Sequence, residues 1–189
     1  MADPVQGALA HLGADLVVEG DGIALREAPR AGMINLRGDP QDDAFRDAVR
    51  AALDIDLPLA ANTSRESAPL SALWLGPDEW LLLCAEDSAP AVIESLRAAL
   101  SGRHAAIVDV SGSRCILRLS GTAVRDVLAR GCALDLHPRV FARGVVAQTR
   151  LAQAEVILHR GAEDAFDIYV ARSFADYLWR WLADAIEVG

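Results

Sequence analysis

An internal repeat is the feature of this 189-residue sequence that most restricts its fold. Gly38 and Gly121, 83 residues apart, each follow an apolar segment and precede a stretch with apolar residues at helical spacing. Each stretch ends before a proline, Pro58 in the first copy and Pro138 in the second, 80 residues apart. Such self-similarity predicts that one strand–glycine–helix unit occurs twice.

The segments after each copy also correspond. Residues 73–75 and 80–84 are apolar runs on either side of Gly76-Pro77-Asp78-Glu79, which predicts a β-hairpin. Residues 156–159 and 166–170 repeat this arrangement around residues 160–164. Apolar residues spaced by three or four then predict a helix after each hairpin: Ile93, Leu96 and Leu100 in the first half, and Phe174, Leu178, Trp181, Leu182, Ala185 and Ile186 in the second.

These elements predict an α+β protein made of duplicated, ferredoxin-like βαββα halves, at about residues 31–104 and 105–187. Because each half alone would bury little apolar surface, we expect residues 1–189 to form a single domain of two pseudo-repeats. An N-terminal arm with an edge strand at residues 22–26 precedes the repeats, and residues 60–68 are predicted to form a long surface loop.

Composition excludes several classes of function. The formal net charge is −9, the pI is about 4.8, and no basic run is present, so nucleic acid is an unsuitable main partner. Neither a targeting peptide nor a membrane-spanning apolar run is evident, and we expect a soluble, cytoplasmic protein.

The search for catalytic residues yields none that we assign. Nucleotide-binding glycine motifs are absent, and His11, His104, His137 and His159 lie apart from one another and from cysteines at zinc-ligand spacing. Asp78 and Glu79 could serve acid–base chemistry, but their position predicts an ordinary turn. Residues 109–114 join the halves, and their polar residues are predicted to cap or tie the strands at the pseudo-symmetric centre. The three cysteines, Cys84, Cys115 and Cys132, are predicted to be buried free thiols. We therefore predict no catalytic, cofactor-binding or metal-binding residue in this chain.

The tryptophans of the last helix suggest an interface. Trp181 fits the apolar stripe, whereas Trp179 does not. Trp179 near Tyr177 therefore predicts an exposed apolar patch that a partner covers, the alternative being an amphipathic surface aromatic.

Six strings together resemble the gamma subunit of heterotetrameric sarcosine oxidase, and the resemblance extends from about residue 10 to 187. They are Leu36-Arg37-Gly38-Asp39-Pro40, Leu73-Trp74-Leu75-Gly76-Pro77-Asp78-Glu79-Trp80-Leu81, Asp109-Val110-Ser111, Gly131-Cys132 with Leu134-Asp135-Leu136-His137-Pro138, Ala147-Gln148-Thr149, and Arg172-Ser173-Phe174-Ala175-Asp176-Tyr177-Leu178.

The resemblance implies alpha, beta and delta partner subunits in a complex that oxidatively demethylates sarcosine to glycine. The complex reduces oxygen to hydrogen peroxide and passes the one-carbon unit to tetrahydrofolate. It implies that FAD, FMN, NAD and zinc lie on the other subunits, and that this chain resembles in fold the folate-binding domain of aminomethyltransferases.

One departure from the aminomethyltransferase pattern is informative. Those enzymes have a glycine-rich stretch with paired aspartates where this sequence has Ala154 and Glu155. A carboxylate misplaced by about 1 Å can reduce a rate about a hundredfold. We therefore expect a mainly structural subunit. The alternatives are an autonomous folate-binding one-carbon protein that uses Glu155, and an interaction protein of another complex.

Overall fold

The computed structural model of the chain describes residues 7–13, 16–162 and 164–188. A short 3-10 helix, Ala10–Leu12, precedes the regular elements. These follow in the order β1 (Val17–Gly20), β2 (Ile23–Glu27), β3 (Ala31–Arg37), α1 (Asp43–Leu53), β4 (Ser64–Ser67), β5 (Leu70–Gly76), β6 (Glu79–Ala85), α2 (Ala89–Ala99), β7 (Ala106–Asp109), β8 (Arg114–Ser120), α3 (Val124–Ala129), β9 (Val146–Leu151), β10 (Ala154–Ala162), β11 (Ala165–Ala171) and α4 (Arg172–Glu187).

The chain divides into two compact units, and each contains one antiparallel sheet with helices. Unit 1 comprises Met1–Arg30, Ser113–Arg143 and Gln148–Gly189, and unit 2 comprises Ala31–Gly112 and Gly144–Ala147. The predicted α+β class is therefore confirmed.

Unit 2 contains a five-stranded sheet in the order β4-β5-β6-β3-β7. Apolar residues of the central strands form one buried cluster with the inner faces of α1 and α2. Phe45, Val49 and Leu53 recur at four-residue spacing and so lie on one side of α1. The Asp42 side chain accepts a hydrogen bond from the Ala44 N–H and caps this helix, which ends at Asp54 in the left-handed conformation.

Unit 1 contains a six-stranded sheet in the order β1-β2-β8-β11-β10-β9. Its core strands β8, β10 and β11 have the same order along the chain as β3, β5 and β6, and each set is interleaved with two helices. The hairpins predicted from the repeat are present as β5–β6 and β10–β11.

The prediction of an edge strand at residues 22–26 is wrong. β2 pairs with β1 on one side and with β8 on the other, so β1 is the edge strand. The alternation of Ile23 and Leu25, both buried, fits an inner strand, but a short amphipathic strand gives the same pattern at an edge. The predicted loop at 60–68 likewise contains β4, the edge strand of the other sheet.

The apolar stripe predicted for the last helix is misplaced. The buried side chains of α4 are Ala175, Leu178, Trp179, Leu182 and Ile186, whereas Phe174 is exposed and Trp181 is only half-buried. The prediction gave Phe174 the place on the inner face that the smaller Ala175 occupies. None of the helices formed by the described residues is long and apolar enough to cross a membrane.

Candidate functional site

The first two sequence strings meet at one end of the unit 2 sheet. β3 pairs with β6, which places Arg37 opposite Glu79. The Arg37 guanidinium donates to both carboxylate oxygens of Asp78, at 3.1 and 2.9 Å, and the Asn35 amide donates to Glu79 at 2.7 Å. Asp78 lies in the turn and Glu79 begins β6, as the turn prediction requires. Both carboxylates thus fix the end of the sheet.

Gly38 and Trp80 of the same strings belong to the core. A Cβ atom on Gly38 would lie 2.3 to 2.9 Å from ring atoms of Phe45, so only glycine leaves room for that ring. Trp80 is fully buried, and its ring centroid lies 6.0 Å from that of Phe45. The indole N–H donates to the Pro58 carbonyl at 2.8 Å, which satisfies its polar atom.

The third string, Asp109-Val110-Ser111, ties the end of β7 to β3. The Met33 N–H donates to the Ser111 hydroxyl oxygen at 2.9 Å, and the Val110 N–H donates to the Met33 carbonyl at 2.8 Å. The Ser111 N–H donates to Asp109 at 2.9 Å. Hydrogen bonds from the Ser111 side chain and backbone hold the pKa of Asp109 below its usual range. These polar residues thus form hydrogen bonds that hold the end of β7 against β3.

The three cysteines are buried free thiols, as predicted. Burial raises the pKa of Cys115 to about 12, with a further rise from Glu27 that Arg172 partly offsets. Burial, followed by the charges of Asp109 and Asp87, also raises the pKa of Cys84. Since the thiolate is the reactive form, both groups are poor nucleophiles at neutral pH.

The histidines occupy separate environments. His11 hydrogen-bonds Asp176 at 3.0 Å, and the Arg139 N–H donates to Nδ1 of His137 at 3.2 Å. Within residues 7–13, 16–162 and 164–188, no cluster of three or more His, Cys, Asp or Glu side chains could hold a metal ion.

Two arginines of unit 1, the buried Arg160 and the partly buried Arg125, were not singled out by the sequence. Arg160 is 6% exposed and donates to the Phe141 carbonyl at 2.8 Å. Arg125 donates to the Leu136 carbonyl and to Asp164, both at 3.2 Å, and lies 5.7 Å from the centre of the Phe166 ring. Both side chains attach the irregular segment after α3 to the β10–β11 hairpin. Arg160 lies on β10 and Arg125 on α3, and both act through contacts with residues distant in the chain, which leave no signal in the local sequence.

The string Gly131-Cys132 also has a packing role. A Cβ atom on Gly131 would lie 2.5 Å from the Trp181 ring, and Cys132 forms an isolated bridge with Leu151 of β9. Trp181 therefore packs against the segment that follows α3.

The last string places two aromatic side chains on the surface of unit 1. Phe174 is 45% exposed and Tyr177 is 37% exposed, and their rings meet edge to face with centroids 6.5 Å apart. Trp179, which was predicted to be the exposed aromatic, is 5% exposed and belongs to the core. An exposed apolar patch exists on this helix, but Phe174 and Tyr177 form it.

A cleft of about 400 Å³ lies on the same unit, and its lining includes the fifth string. Its walls are formed by Arg114, Gln148, Thr149, Arg150, Glu155, Val156 and Ile157. Ala171 pairs with Arg114 across the sheet, and the adjacent Val170 pairs with Val156. The small Ala171 side chain therefore separates Arg114 from the β10 strand end that carries Glu155.

Hydrogen bonds connect this cleft to the aromatic pair. The Gln153 N–H donates to the Tyr177 hydroxyl at 3.2 Å, and the Arg150 guanidinium donates to the Gln153 side-chain oxygen at 3.1 Å. We call the resulting region the α4–β9 surface; it consists of Arg114, Gln148, Thr149, Arg150, Gln153, Glu155, Phe174 and Tyr177.

Two larger clefts lie in unit 2. One of about 760 Å³ lies between α1 and β4 and is lined by charged residues that include Arg50, which is paired with Asp47 and Asp56. The other, of about 560 Å³, lies beside the Arg37–Asp78 pair and His104. In both, some of the charges that line the cleft already pair with each other.

Comparison with known proteins identifies the family. The model of the sarcosine oxidase gamma subunit family matches residues 37–187. The sarcosine oxidase gamma subunits of Corynebacterium sp. strain U-96 and of Arthrobacter sp. are 35% and 36% identical to this chain over 165 residues. The match covers 87% of this chain and 79% and 80% of those subunits, respectively.

Comparison with solved structures gives the same result. A chain of heterotetrameric sarcosine oxidase from Corynebacterium sp. U-96, solved in complex with pyrrole 2-carboxylate, has a TM-score of 0.87 at 33% identity, over 96% of this chain and 94% of that chain. Aminomethyltransferase T of the glycine cleavage system from Bartonella henselae has a TM-score of 0.64 at 21% identity, over 85% of this chain and 45% of that one, which indicates a common fold. The resemblance carried by the six strings is confirmed, and the chain belongs to the sarcosine oxidase gamma subunit family.

Proposed function

We propose that this chain is the gamma subunit of a heterotetrameric sarcosine oxidase and that it supplies structure and contact surfaces rather than catalytic groups. The observation that carries the proposal is its likeness to a chain of that oxidase, which extends over nearly the whole length of both. The assembly would demethylate sarcosine to glycine, form hydrogen peroxide, and pass the one-carbon unit to tetrahydrofolate.

The use of polar residues supports a structural role. Asp78, Glu79 and Asp109 fix strand ends, and Cys84 and Cys115 have raised pKa values caused mainly by burial. Residues that could otherwise perform acid–base or nucleophilic chemistry are thus engaged in the fold. We accordingly assign no catalytic, cofactor-binding or metal-binding residue to this chain.

The partners in this proposal are the alpha, beta and delta subunits of the oxidase, and the complex works in the cytoplasm. FAD, FMN, NAD and zinc would be held by those other subunits, and tetrahydrofolate would act as co-substrate of the complex.

We further propose that the two units are duplicated, ferredoxin-like halves of a single domain. The strand order β5-β6-β3-β7 in unit 2 corresponds to β10-β11-β8-β2 in unit 1, with β2 in the place of β7. The chain passes between the units four times, at residues 30, 112, 143 and 147. Because unit 1 is assembled from three chain segments, we expect it to fold together with unit 2.

Reconstitution tests the proposed function. The purified chain should show no flavin absorbance and no sarcosine-dependent peroxide, whereas co-expression with the other three subunits should yield an active complex containing this chain. A subassembly lacking the chain should be less stable or less active than the complete complex. Sarcosine-dependent peroxide from the chain alone, or failure of the chain to assemble, would contradict the proposal.

Autonomous folate binding is the alternative, and the position of Glu155 in the wall of a cleft is the observation that favours it. The aminomethyltransferase-like fold is compatible with it but does not identify a ligand. Calorimetric titration of the isolated chain with tetrahydrofolate separates the two functions. We expect no detectable heat of binding; a micromolar site that Glu155→Gln abolishes would favour the alternative.

A further inference from the structure

We propose that the α4–β9 surface binds an acidic segment of another oxidase subunit, with a carboxylate of that segment between Arg114 and Arg150 and an apolar side chain on Phe174 and Tyr177. The inference rests on the proposed function, since it specifies the contact through which this subunit would assemble.

The charges of the cleft are the first reason. All basic side chains of this chain are arginines, because the sequence contains no lysine. Arg37, Arg118 and Arg180 each hold a carboxylate within 3.1 Å. Arg150 by contrast donates to the neutral amide of Gln153, and no carboxylate of the described chain lies within 4.0 Å of the Arg114 guanidinium.

Glu155 does not neutralise these arginines. It lines the same cleft as Arg114 and Arg150, yet among the placed residues neither guanidinium comes within ion-pair distance of its carboxylate. The cleft thus carries two guanidinium groups and one carboxylate around open space, on a chain whose net charge is −9. A locally positive cleft on an acidic protein favours an anionic occupant, and guanidinium groups bind carboxylates in a bidentate geometry.

The aromatic pair gives the second part of the partner's chemistry. Large aromatic side chains are enriched at the centres of protein interfaces, where their burial contributes much of the binding free energy. Phe174 and Tyr177 contact each other and reach the cleft through Gln153. The positive cleft and the apolar patch therefore form one surface on unit 1.

The position of β9 makes the cleft accessible to another chain. β9 is the outermost strand of the unit 1 sheet, and Gln148 and Arg150 on it are exposed. Other segments of this chain already pair with both ends of the strand, since the Val146 N–H donates to the Asn62 carbonyl at 2.9 Å and Leu151 forms an isolated bridge with Cys132. The occupant would therefore be recognised through the side chains that line the cleft rather than by addition of a strand.

The test measures binding of the full-length chain to the co-expressed alpha, beta and delta subunits. The double variant Arg114→Glu/Arg150→Glu should weaken the affinity at least about tenfold while leaving the melting temperature of the free chain unchanged. Arg65→Glu/Arg97→Glu makes the same change of charge on exposed residues of unit 2 and should alter the affinity less than about twofold. Affinity of the unmodified chain should fall with added salt, and Arg114→Lys/Arg150→Lys should retain part of it.

A second pair of variants tests the aromatic patch. Phe174→Ser should weaken binding about tenfold, whereas Leu59→Ser, which removes another exposed apolar side chain in unit 2, should leave it unchanged. Normal assembly by both the charge-reversal variant and Phe174→Ser would overturn this inference while leaving the proposed function intact.

Three other results would contradict either the assigned surface or the proposed function. Equal weakening by the two double variants would show a general charge effect and overturn the assigned surface. Dimers of the isolated chain that Arg114→Glu/Arg150→Glu disrupts would assign the surface to a second copy and contradict an oxidase subunit as its occupant. Failure of the unmodified chain to assemble with the other subunits would count against the proposed function itself.

Discussion

At the scale of single residues, much of the sequence that identifies the family is used in close packing and in strand-end hydrogen bonds. Gly38 and Gly131 each leave room for an aromatic ring, and Ser111 joins two strand ends. The sequence predicted the hairpin turn at Asp78 and Glu79 correctly because turn chemistry is local. It could not predict the roles of Gly38 and Gly131, because their contacts are with residues on other elements.

Replacing Gly38 by alanine should destabilise the chain. The added methyl group would meet the buried ring of Phe45, and overpacking of this kind costs about 1–3 kcal/mol. Gly112→Ala is the matched control, since no atom lies within 4 Å of the position of its Cβ, and its free energy of unfolding should change little. Urea denaturation of both variants measures the difference; equal stability would contradict the assigned packing.

Removing the Ser111 hydroxyl should change the pH dependence of stability. Asp109 has a pKa below its ordinary value of 3.8, because Ser111 donates to its carboxylate. A depressed pKa contributes stability above the ordinary value, and this contribution is lost as the pH falls through the folded-state pKa.

The destabilisation caused by Ser111→Ala should therefore be larger at pH 7 than at a pH below the pKa of Asp109. An NMR titration should show the pKa of Asp109 closer to its ordinary value in the variant. An unchanged titration would mean that the hydroxyl does not stabilise the carboxylate.

At the scale of secondary structure elements, hydrophobic spacing correctly predicted the long helices and both hairpins, but not which side of α4 faces the core. Trp179 and Trp181 are two positions apart and so point in different directions, and either could belong to the buried stripe. In the structure Trp179 is buried, whereas Trp181 packs against Gly131 and is only half-buried. Spacing alone cannot decide which tryptophan is buried, because a small residue such as Ala175 can occupy a position on the buried side of the helix.

Trp179→Ala should accordingly destabilise the fold. A tryptophan removed from a core costs about 3–5 kcal/mol, so the melting temperature of the isolated chain should fall sharply. Phe174→Ser on the same helix should cost about 1 kcal/mol, much less than Trp179→Ala, because the Phe174 side chain is 45% exposed. Thermal unfolding followed by circular dichroism compares the two, and comparable effects would contradict their assignment to core and surface.

At the scale of the whole molecule, the sequence did not predict which strand pairs beside the first core strand of each repeat. The repeat was recognisable because both copies use the same periodicity, but β2 lies outside it. β7 pairs beside β3 in unit 2, and β2 pairs in the corresponding position beside β8 in unit 1. Strand pairing between residues so far apart in the chain has no local signature.

Leu25→Asp tests whether the units fold as one domain. Leu25 is fully buried in β2, and an unpaired charge there should cost several kcal/mol. We expect hydrogen exchange to show loss of protection in both units together, and Val17→Asp on the exposed β1 position to have little effect. Persistent protection of residues 31–112 in Leu25→Asp would mean that the units fold independently.

The inner position of β2 also has a consequence for how the protein is made. On the ribosome, β2 is complete when residue 27 has been added, but its inner neighbour β8 begins only at residue 114. At about 5–20 residues per second, the nascent chain would carry this strand without that neighbour for roughly 4 to 17 s. Synthesis of the first repeat fills this interval, so translation speed and chaperone access during it should affect the yield of native protein.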